Sequence, residues 1–279
     1  MSYLVFNSLT YVLFLIILTA VYFIYPNKFR WVILLIASIA FYLFAGVDKF
    51  PFIVLTSVLV WCSSWKISKT YTKADEEADR KKLKGKERIS FLSTYKRKCR
   101  NRYLIPTLII VIGVLCYCKV TGMLVESISE LVGGERFSIK VIIPLGVSYY
   151  TFSTVGYLLD VYWKKQKNIN NYFKFALCVF YFPQIVQGPI TRYHKLIAEI
   201  EKEHPFDYKR ICFGIQLMLY GYFKKMVIAD RLVLFTTEVF ENLGNYEGLT
   251  IIIALIFSTF QLYMDFSGCM DIVRGTSQI

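Results

Sequence analysis

The sequence predicts an all-α, polytopic membrane protein: a helical bundle with about seven hydrophobic segments, one of them broken or re-entrant. Hydrophobic residues make up 56% of the 279 residues and aromatic residues 17%, whereas charged residues make up only 19%. An ordinary soluble domain carries more charge than this. The apolar residues fall into runs of roughly fifteen to twenty, the length scale of a membrane-crossing helix. No repeat and no soluble second domain is visible, so residues 1–279 are predicted to form a single membrane domain.

The amino-terminal half is expected to cross the membrane four times around one basic loop. The first span carries neither a basic leader nor a small-residue cleavage site, so it is predicted to stay as an anchor. The second and third spans are short and require bilayer thinning or burial in a bundle. The predicted spans are residues 4–25, 31–46, 51–65 and 103–122.

The basic loop sets the predicted orientation. Residues 66–102 contain 14 Lys and Arg against 5 Asp and Glu, a net charge of +9. Such an excess is typical of cytoplasmic loops and of surfaces that meet anionic lipid headgroups. We therefore expect a multi-pass protein of the cell membrane with its amino terminus outside, loop 66–102 in the cytoplasm, and the loop helical in part.

The second half of the chain is predicted to be less regular. Pro183 interrupts an apolar run together with nearby Gln and Gly residues, and broken backbone at membrane depth is tolerated only inside protein or beside a wet cavity. Lys224 and Lys225 follow another apolar run directly, so their charges must reach an interface or an inner cavity. The predicted elements are a short interfacial helix at 123–132, crossings at 141–163, 211–223 and 249–266, a broken or re-entrant helix at 173–190, and an acidic link at 238–247.

Two carboxylates, Asp265 and Asp271, stand at the end of the last apolar run. A charged side chain at membrane depth is costly, so these residues should face a polar cavity or an interface, which makes them a candidate site. The alternative is that the helix ends near Tyr263 and both acids lie in water. The sequence leaves both possibilities open.

Other classes of site are disfavoured. The seven cysteines lie mostly inside apolar runs and show no C-x-x-C spacing, so neither a zinc site nor a disulfide framework is predicted. The formal charge of +13 is concentrated in the basic loop, which indicates the lipid bilayer as a partner and argues against nucleic acid.

Three motifs in order carry a family resemblance. They are PLGVSYYTFSTVGYLLDVY (144–162), FPQIVQGPITRY (182–193) and FQLYMDFSGCMDIVRG (260–275), and GYFKKMVIADRL (221–232) fits the same pattern. As a set they closely resemble the membrane-bound O-acyltransferase family, in particular its bacterial alginate O-acetyltransferase branch. The resemblance is strong from about Pro144 onward and rests only on hydropathy before it.

The resemblance implies a compact membrane enzyme with a cytoplasmic funnel and no bound cofactor. Such an enzyme moves an acyl group, acetyl in this branch, from a thioester donor, acyl-CoA or an acyl carrier protein. The acceptor is a hydroxyl of a cell-surface or exopolysaccharide, or of an acyltransferase partner protein that acts outside the cytoplasm. A histidine is the expected general base, in a pocket that excludes competing water.

The catalytic histidine of the family lies in a motif similar to R-R-W-H-I, downstream of the DFSG stretch. The sequence reaches Ile279 without it, and neither His194 nor His204 matches its position. The resemblance therefore implies a carboxy-terminally truncated chain that is inactive alone, with no catalytic residue among these 279. A non-catalytic membrane scaffold and a transporter remain alternatives.

Polar residues inside the resembling motifs are predicted either to line a donor or acceptor channel or to brace broken backbone. Arg192 is the best candidate for contact with an anionic donor, because a guanidinium can bind phosphate with two parallel hydrogen bonds. The predicted supporting residues are Asp160, Gln184, Gln187, Arg192, Gln261, Asp265 and Ser267.

Overall fold

The computed structural model describes residues 9–132, 144–185, 188 and 192–279. Within these ranges the chain is helical and contains no strand, which confirms the all-α prediction. Short 3-10 turns occur at Val47–Lys49 and Leu243–Asn245, and π-helical turns at Arg100–Leu104 and Phe223–Ala229. The α-helices are α1 Leu9–Ile24, α2 Asn27–Ala45, α3 Phe50–Arg80, α4 Gly85–Cys99, α5 Ile105–Val132, α6 Val147–Tyr162, α7 Tyr172–Phe180, α8 Phe182–Ile185, α9 Tyr193–Ile200, α10 Tyr208–Tyr222, α11 Asp230–Glu241 and α12 Gly248–Thr276.

Several of these helices have the length and composition needed to cross a membrane. Helices α4 and α5, and likewise α10 and α11, are continuous through the π-helical turns that join them. The described part of the chain holds five candidate spans, together with a shorter apolar helix at Thr10–Ile24. The protein is therefore a multi-pass membrane protein. The five are Asn27–Phe44, Val47–Arg80, Gly85–Thr121, Tyr208–Glu241 and Gly248–Thr276.

The basic segment 66–102, predicted to be helical in part, is a helical hairpin. Helix α3 runs on past the predicted end of the third span to Arg80, and α4 returns from Gly85. Lys82 in the turn has a positive φ of 50°, and Arg88 forms a 2.7 Å ion pair with Asp79 across it. Helix α3 is therefore longer than the predicted third span, because it continues into the charged residues that follow the apolar run.

Two predicted element boundaries are wrong. The separate interfacial helix at 123–132 is the last part of α5, because Gly122 alone costs only about 1 kcal/mol in a helix and no proline follows it. The acidic link at 238–247 starts too early, because the chain after Tyr222 passes through a π-turn and continues as α11 to Glu241.

The predicted broken helix is confirmed. Helix α7 ends at Phe180 and α8 begins at Phe182, with Tyr181 out of helical geometry between them. Pro183 explains this, because proline lacks an N–H and its ring collides with the carbonyl of the residue four positions earlier in a continuous helix. Residues 186, 187 and 189–191 lie outside the described residues.

The described chain divides into two compact units. One comprises Trp31–Ile185 and Ile190–Lys202, and its loop 163–171 is tied to α3 and α6. Asn168 Oδ1 accepts hydrogen bonds from Ser64 (2.8 Å) and Tyr157 (2.9 Å), and Trp61 Nε1 donates to the carbonyl of Ile169 (2.9 Å). These bonds satisfy the polar loop backbone. The prediction of a single membrane domain stays a prediction.

The other unit comprises the described parts of Met1–Arg30, Val186–Pro189 and Glu203–Ile279. Its centre is an antiparallel contact between α10 and α12 through two glycine pairs, Gly214 with Gly275 and Gly221 with Gly268. A Cβ added at Gly221 would lie 2.6 Å from the carbonyl oxygen of Gly268, and one at Gly275 would lie 2.5 Å from that of Gly214. Small residues that let backbones touch are a typical means of joining helices in membranes.

We predict that Gly221→Ala destabilises the protein. Its new methyl group would press on a backbone carbonyl, and overpacking of this kind costs about 1–3 kcal/mol. Gly156→Ala in α6 is the matched control, because a Cβ there meets nothing within 4 Å. Thermal unfolding in detergent should show a lower midpoint for Gly221→Ala and an unchanged or higher one for Gly156→Ala. Equal midpoints would contradict the role of the glycine contact.

Candidate functional site

Helix α12 presents its polar residues on both sides of a glycine. A helix turns by about 100° per residue, so Asp265 and Asp271 lie about 60° to either side of Gly268. Ser267 is four residues before Asp271 and shares its side of the helix. The face that packs on α10 is thus flanked by a carboxylate on each side.

The π-turn Phe223–Ala229 supplies the cations that meet these carboxylates. Lys224 Nζ donates to Asp271 Oδ2 (2.6 Å) and Ser267 Oγ (3.0 Å), and Lys225 Nζ forms an ion pair with Asp265. A Cβ added at Gly268 would lie 3.1 Å from the amide nitrogen of Lys225 and 3.2 Å from the Cβ of Lys224. The glycine therefore brings the lysine backbone close enough for both pairs. We name these residues the Lys–Asp cluster: Lys224, Lys225, Asp265, Ser267 and Asp271.

The Lys–Asp cluster is largely withdrawn from solvent. The side chains of Lys224 and Asp271 are 16% and 13% exposed, and those of Lys225 and Asp265 are 16% and 26% exposed. The ammonium of Lys224 also lies 4.4 Å from the ring centroid of Tyr220, within cation–π distance. Each charge thus has a partner inside candidate spans, where an unpaired charge would be costly.

This arrangement decides between the two interpretations of the carboxylates. Helix α12 does not end near Tyr263 but continues to Thr276, so the interpretation with both acids in water beyond the helix is wrong. The predicted supporting set includes Asp265 and Ser267 but omits Lys224, Lys225 and Asp271. The signal for them was present: two adjacent lysines after one apolar run, and two carboxylates after another, are complementary in charge. Gln261 lies one turn before Asp265 on α12.

Gln184 occupies a second polar region, in the other unit. Its side chain is 6% exposed, and its Oε1 accepts a hydrogen bond from Tyr149 (3.0 Å). Tyr149, Ser153 and Tyr157 follow at four-residue intervals along α6, and the ring of Tyr193 stacks on Tyr157 at 5.4 Å. Tyr149 therefore hydrogen-bonds one of the predicted supporting residues.

Two buried hydroxyls in this region, Ser153 Oγ and Tyr193 OH, have no hydrogen-bond partner among the described residues. Burial raises the pKa of the Tyr193 phenol well above its ordinary value, so the hydroxyl stays a neutral donor. Buried polar atoms are normally satisfied by protein or ordered water. These two groups can therefore hydrogen-bond a water or a polar substrate group.

The close approach of two resembling motifs shapes this region. Gly146 begins α6 with a φ of +65°, a conformation that favours glycine, and a Cβ there would lie 2.0 Å from the carbonyl oxygen of Ile185. The PLG and FPQI stretches are thus in direct backbone contact. Only glycine fits at this position.

The remaining predicted residues are more peripheral. Arg192 is exposed and precedes α9, and Asp160 is half-buried in the last turn of α6, where its carbonyl accepts from Lys165 N at 2.9 Å. Gln187 lies outside the described residues. His194 is exposed, with Nδ1 3.0 Å from Gln166 Oε1. In the described ranges no three His, Cys, Asp or Glu side chains are grouped as metal ligands.

Comparison with known proteins identifies relatives along nearly the whole chain. No family model matches. The chain is 28% identical over 268 residues to probable alginate O-acetylase AlgI of Pseudomonas aeruginosa, an alignment that covers 94% of the chain and 46% of that protein. It is 25% identical over 268 residues to peptidoglycan O-acetyltransferase of Helicobacter pylori, covering 87% of the chain and 46% of that protein.

The chain is homologous to bacterial alginate O-acetylases and to a peptidoglycan O-acetyltransferase. The resemblance predicted from the motifs is thereby confirmed. The chain also matches teichoic acid D-alanyltransferase of Lacticaseibacillus rhamnosus, at 29% identity over 86 residues, which is 30% of the chain and 21% of that protein. The chain spans about half the length of the curated relatives that it matches.

We predict energetic coupling between Lys224 and Asp271. Removing one partner leaves the other as an unpaired, largely buried charge, whereas removing both does not. Lys224→Met and Asp271→Leu should each lower stability, and the double variant should lose less than the sum, with a coupling of about 1–3 kcal/mol.

A double-mutant cycle of unfolding in detergent measures this coupling. The exposed pair Lys202–Glu199 serves as the control, because its side chains are 61% and 59% exposed and surface pairs contribute little. Strict additivity of the Lys224 and Asp271 substitutions would show that the pair does not join α12 to the π-turn.

Proposed function

We propose that this chain is part of a membrane O-acyltransferase that transfers an acetyl group to a hydroxyl of a cell-surface or exopolysaccharide, or of a partner protein. The observation that carries the proposal is its similarity over 94% of its length to a probable alginate O-acetylase. The similarity to a peptidoglycan O-acetyltransferase supports the same reaction class with another polymer as acceptor.

In this proposal the donor is a thioester, acyl-CoA or an acyl carrier protein. A histidine takes the acceptor's proton while the oxygen attacks the thioester carbonyl, so a C–O bond forms and the thiol leaves. By the family resemblance, that histidine is expected in a motif downstream of the DFSG stretch. Neither His194 nor His204 is proposed for the proton transfer.

In this proposal the residues of this chain hold the helices in place and offer hydrogen bonds to the substrate. The Lys–Asp cluster fixes α10 against α12, and Gln261 extends its polar surface along α12. Gln184 with Tyr149, and the free hydroxyls of Ser153 and Tyr193, offer hydrogen bonds to a polar substrate group. Asp160 and Gln187 remain proposed supporting residues of the same kind.

The proposed orientation and partners of the protein follow from the positive charge of the basic hairpin. The basic hairpin of α3 and α4 faces the cytoplasm and the anionic headgroups of the bilayer, with the amino terminus outside. Partners are the lipid bilayer, the acyl donor and an acyltransferase that passes the group onward outside the cytoplasm. Nucleic acid is not a proposed partner.

The reaction can be tested in membranes from cells that carry the native gene and from an in-frame deletion strain. With radiolabelled acetyl-CoA or acetyl-acyl carrier protein supplied, alkali-labile label should enter polysaccharide or partner protein only in the first membranes. Restoring the gene should restore the label. Equal ester label in both membranes, with the folded protein detected in the membranes that carry the native gene, would instead favour the scaffold or transporter interpretation.

The proposed function also predicts a role for Arg192 in donor binding. If its exposed guanidinium binds a donor phosphate, Arg192→Gln should raise KM for the donor roughly tenfold while kcat changes little, as expected when ground-state binding is lost. Lys195→Gln, an exposed cation three residues away, is the charge-matched control. Equal KM values for the two variants would exclude Arg192 from donor binding.

A further inference from the structure

A separate cluster of polar side chains joins the start of α2 to the segment before α10. Arg30 Nη1 donates to the carbonyl of His204 at 2.6 Å, and Arg210 Nη1 lies 3.3 Å from His204 Nδ1. Arg30 Nε also donates to the carbonyl of Tyr25 (3.1 Å), just beyond the end of α1. Two guanidinium groups of one unit are thereby held against a single residue. We name Arg30, His204 and Arg210 the arginine pair site.

No carboxylate in the described part of the chain forms a salt bridge within the arginine pair site. Asp207, close by in sequence, directs its carboxylate to the backbone N–H groups of Lys209 (2.9 Å) and Arg210 (3.4 Å). The Nε atom of Arg210 is buried and has no hydrogen-bond partner in the part of the chain that the structure describes. Two neighbouring cations without an acidic partner among these residues suit an anionic ligand.

Aromatic residues around the arginine pair site show where it lies in the membrane. The guanidinium of Arg30 is 4.9 Å from the ring centroid of Tyr22 and 5.3 Å from that of Phe23. Phe23 in turn packs edge-on against Phe206 at 5.3 Å, and Phe206 is 64% exposed. Aromatic rings beside an arginine at the end of an apolar helix are typical of the headgroup level of a bilayer.

We propose that the arginine pair site binds the phosphate of an anionic phospholipid. The guanidinium of Arg210 would donate to a phosphate oxygen, and the positive charge of Arg30 would stabilise the same group. The exposed ring of Phe206 would contact the lipid below its headgroup. A planar guanidinium suits this ligand because it presents parallel donors to phosphate oxygens. The proposal does not depend on the acyl-transfer reaction.

The experiment compares lipid binding to the wild type, Arg210→Gln and Lys209→Gln purified in detergent. Native mass spectrometry counts retained lipid after addition of phosphatidylglycerol or phosphatidylcholine, and thermal unfolding measures the accompanying stabilisation. The wild type should retain phosphatidylglycerol in preference. Arg210→Gln should weaken that binding about tenfold, the factor for one charge-assisted hydrogen bond. Lys209→Gln, which removes an exposed charge next to it, should bind as the wild type does.

Three results would overturn the proposal. One is equal retention of the two lipids by the wild type, a measurement that needs no variant to fold. Another is undiminished phosphatidylglycerol binding by Arg210→Gln that elutes as a single species. The third is equal stabilisation by inorganic phosphate at the same concentration, which would assign the site to a free anion. Acetyl transfer is measured separately, so failure of either proposal leaves the other standing.

Discussion

Backbone contact between α10 and α12 is the constraint on which the Lys–Asp cluster depends. Helices that pack through ordinary side chains keep their axes about 8–10 Å apart. The pairs Gly214–Gly275 and Gly221–Gly268 remove the side chains from the contact, so the carbonyl of one helix meets the Cα of the other. Only at this separation can the lysines beside Gly268 reach carboxylates on both of its flanks.

The charges themselves explain why such a contact is useful. A salt bridge withdrawn from water gives little net stability, because desolvation offsets much of the attraction, but an unpaired charge in the same place is strongly unfavourable. Lys224 and Lys225 can therefore occupy candidate membrane spans only while α12 is in place. The ion pairs thereby tie the FKKM and DFSGCMD motifs to each other.

Local chemistry made part of the fold predictable. Pro183 breaks a helix by its own covalent structure, so the break between α7 and α8 follows from the sequence. The ends of α3 and α12 did not follow from the sequence in the same way. An apolar run indicates only where lipid contact stops, and both helices continue beyond it into charged residues. The same limit applies to the interval between Tyr222 and Glu241. A π-turn has no sequence marker comparable to proline, so the continuation into α11 was missed.

The carboxylates of the candidate site were predictable from the sequence, but their partners were not. The free-energy cost of a charged side chain at membrane depth identified Asp265 and Asp271 as residues that need a polar environment. It could not say that the environment is Lys224 and Lys225, since a pairing between residues about forty positions apart depends on how the helices dock. The stripe of Tyr149, Ser153 and Tyr157 was hidden for a related reason, because its aromatic members read as packing until Gln184 is seen beside them.

The glycines recur every seven residues on both helices, which leaves more than one way to dock them. If α10 slid along α12 by one such interval, Gly214 would meet Gly268 and the backbones could still touch. The slide would move each lysine about 10 Å along the axis, away from its carboxylate. Glycine spacing therefore sets how closely the helices approach, and the ion pairs select the single register in which they do so.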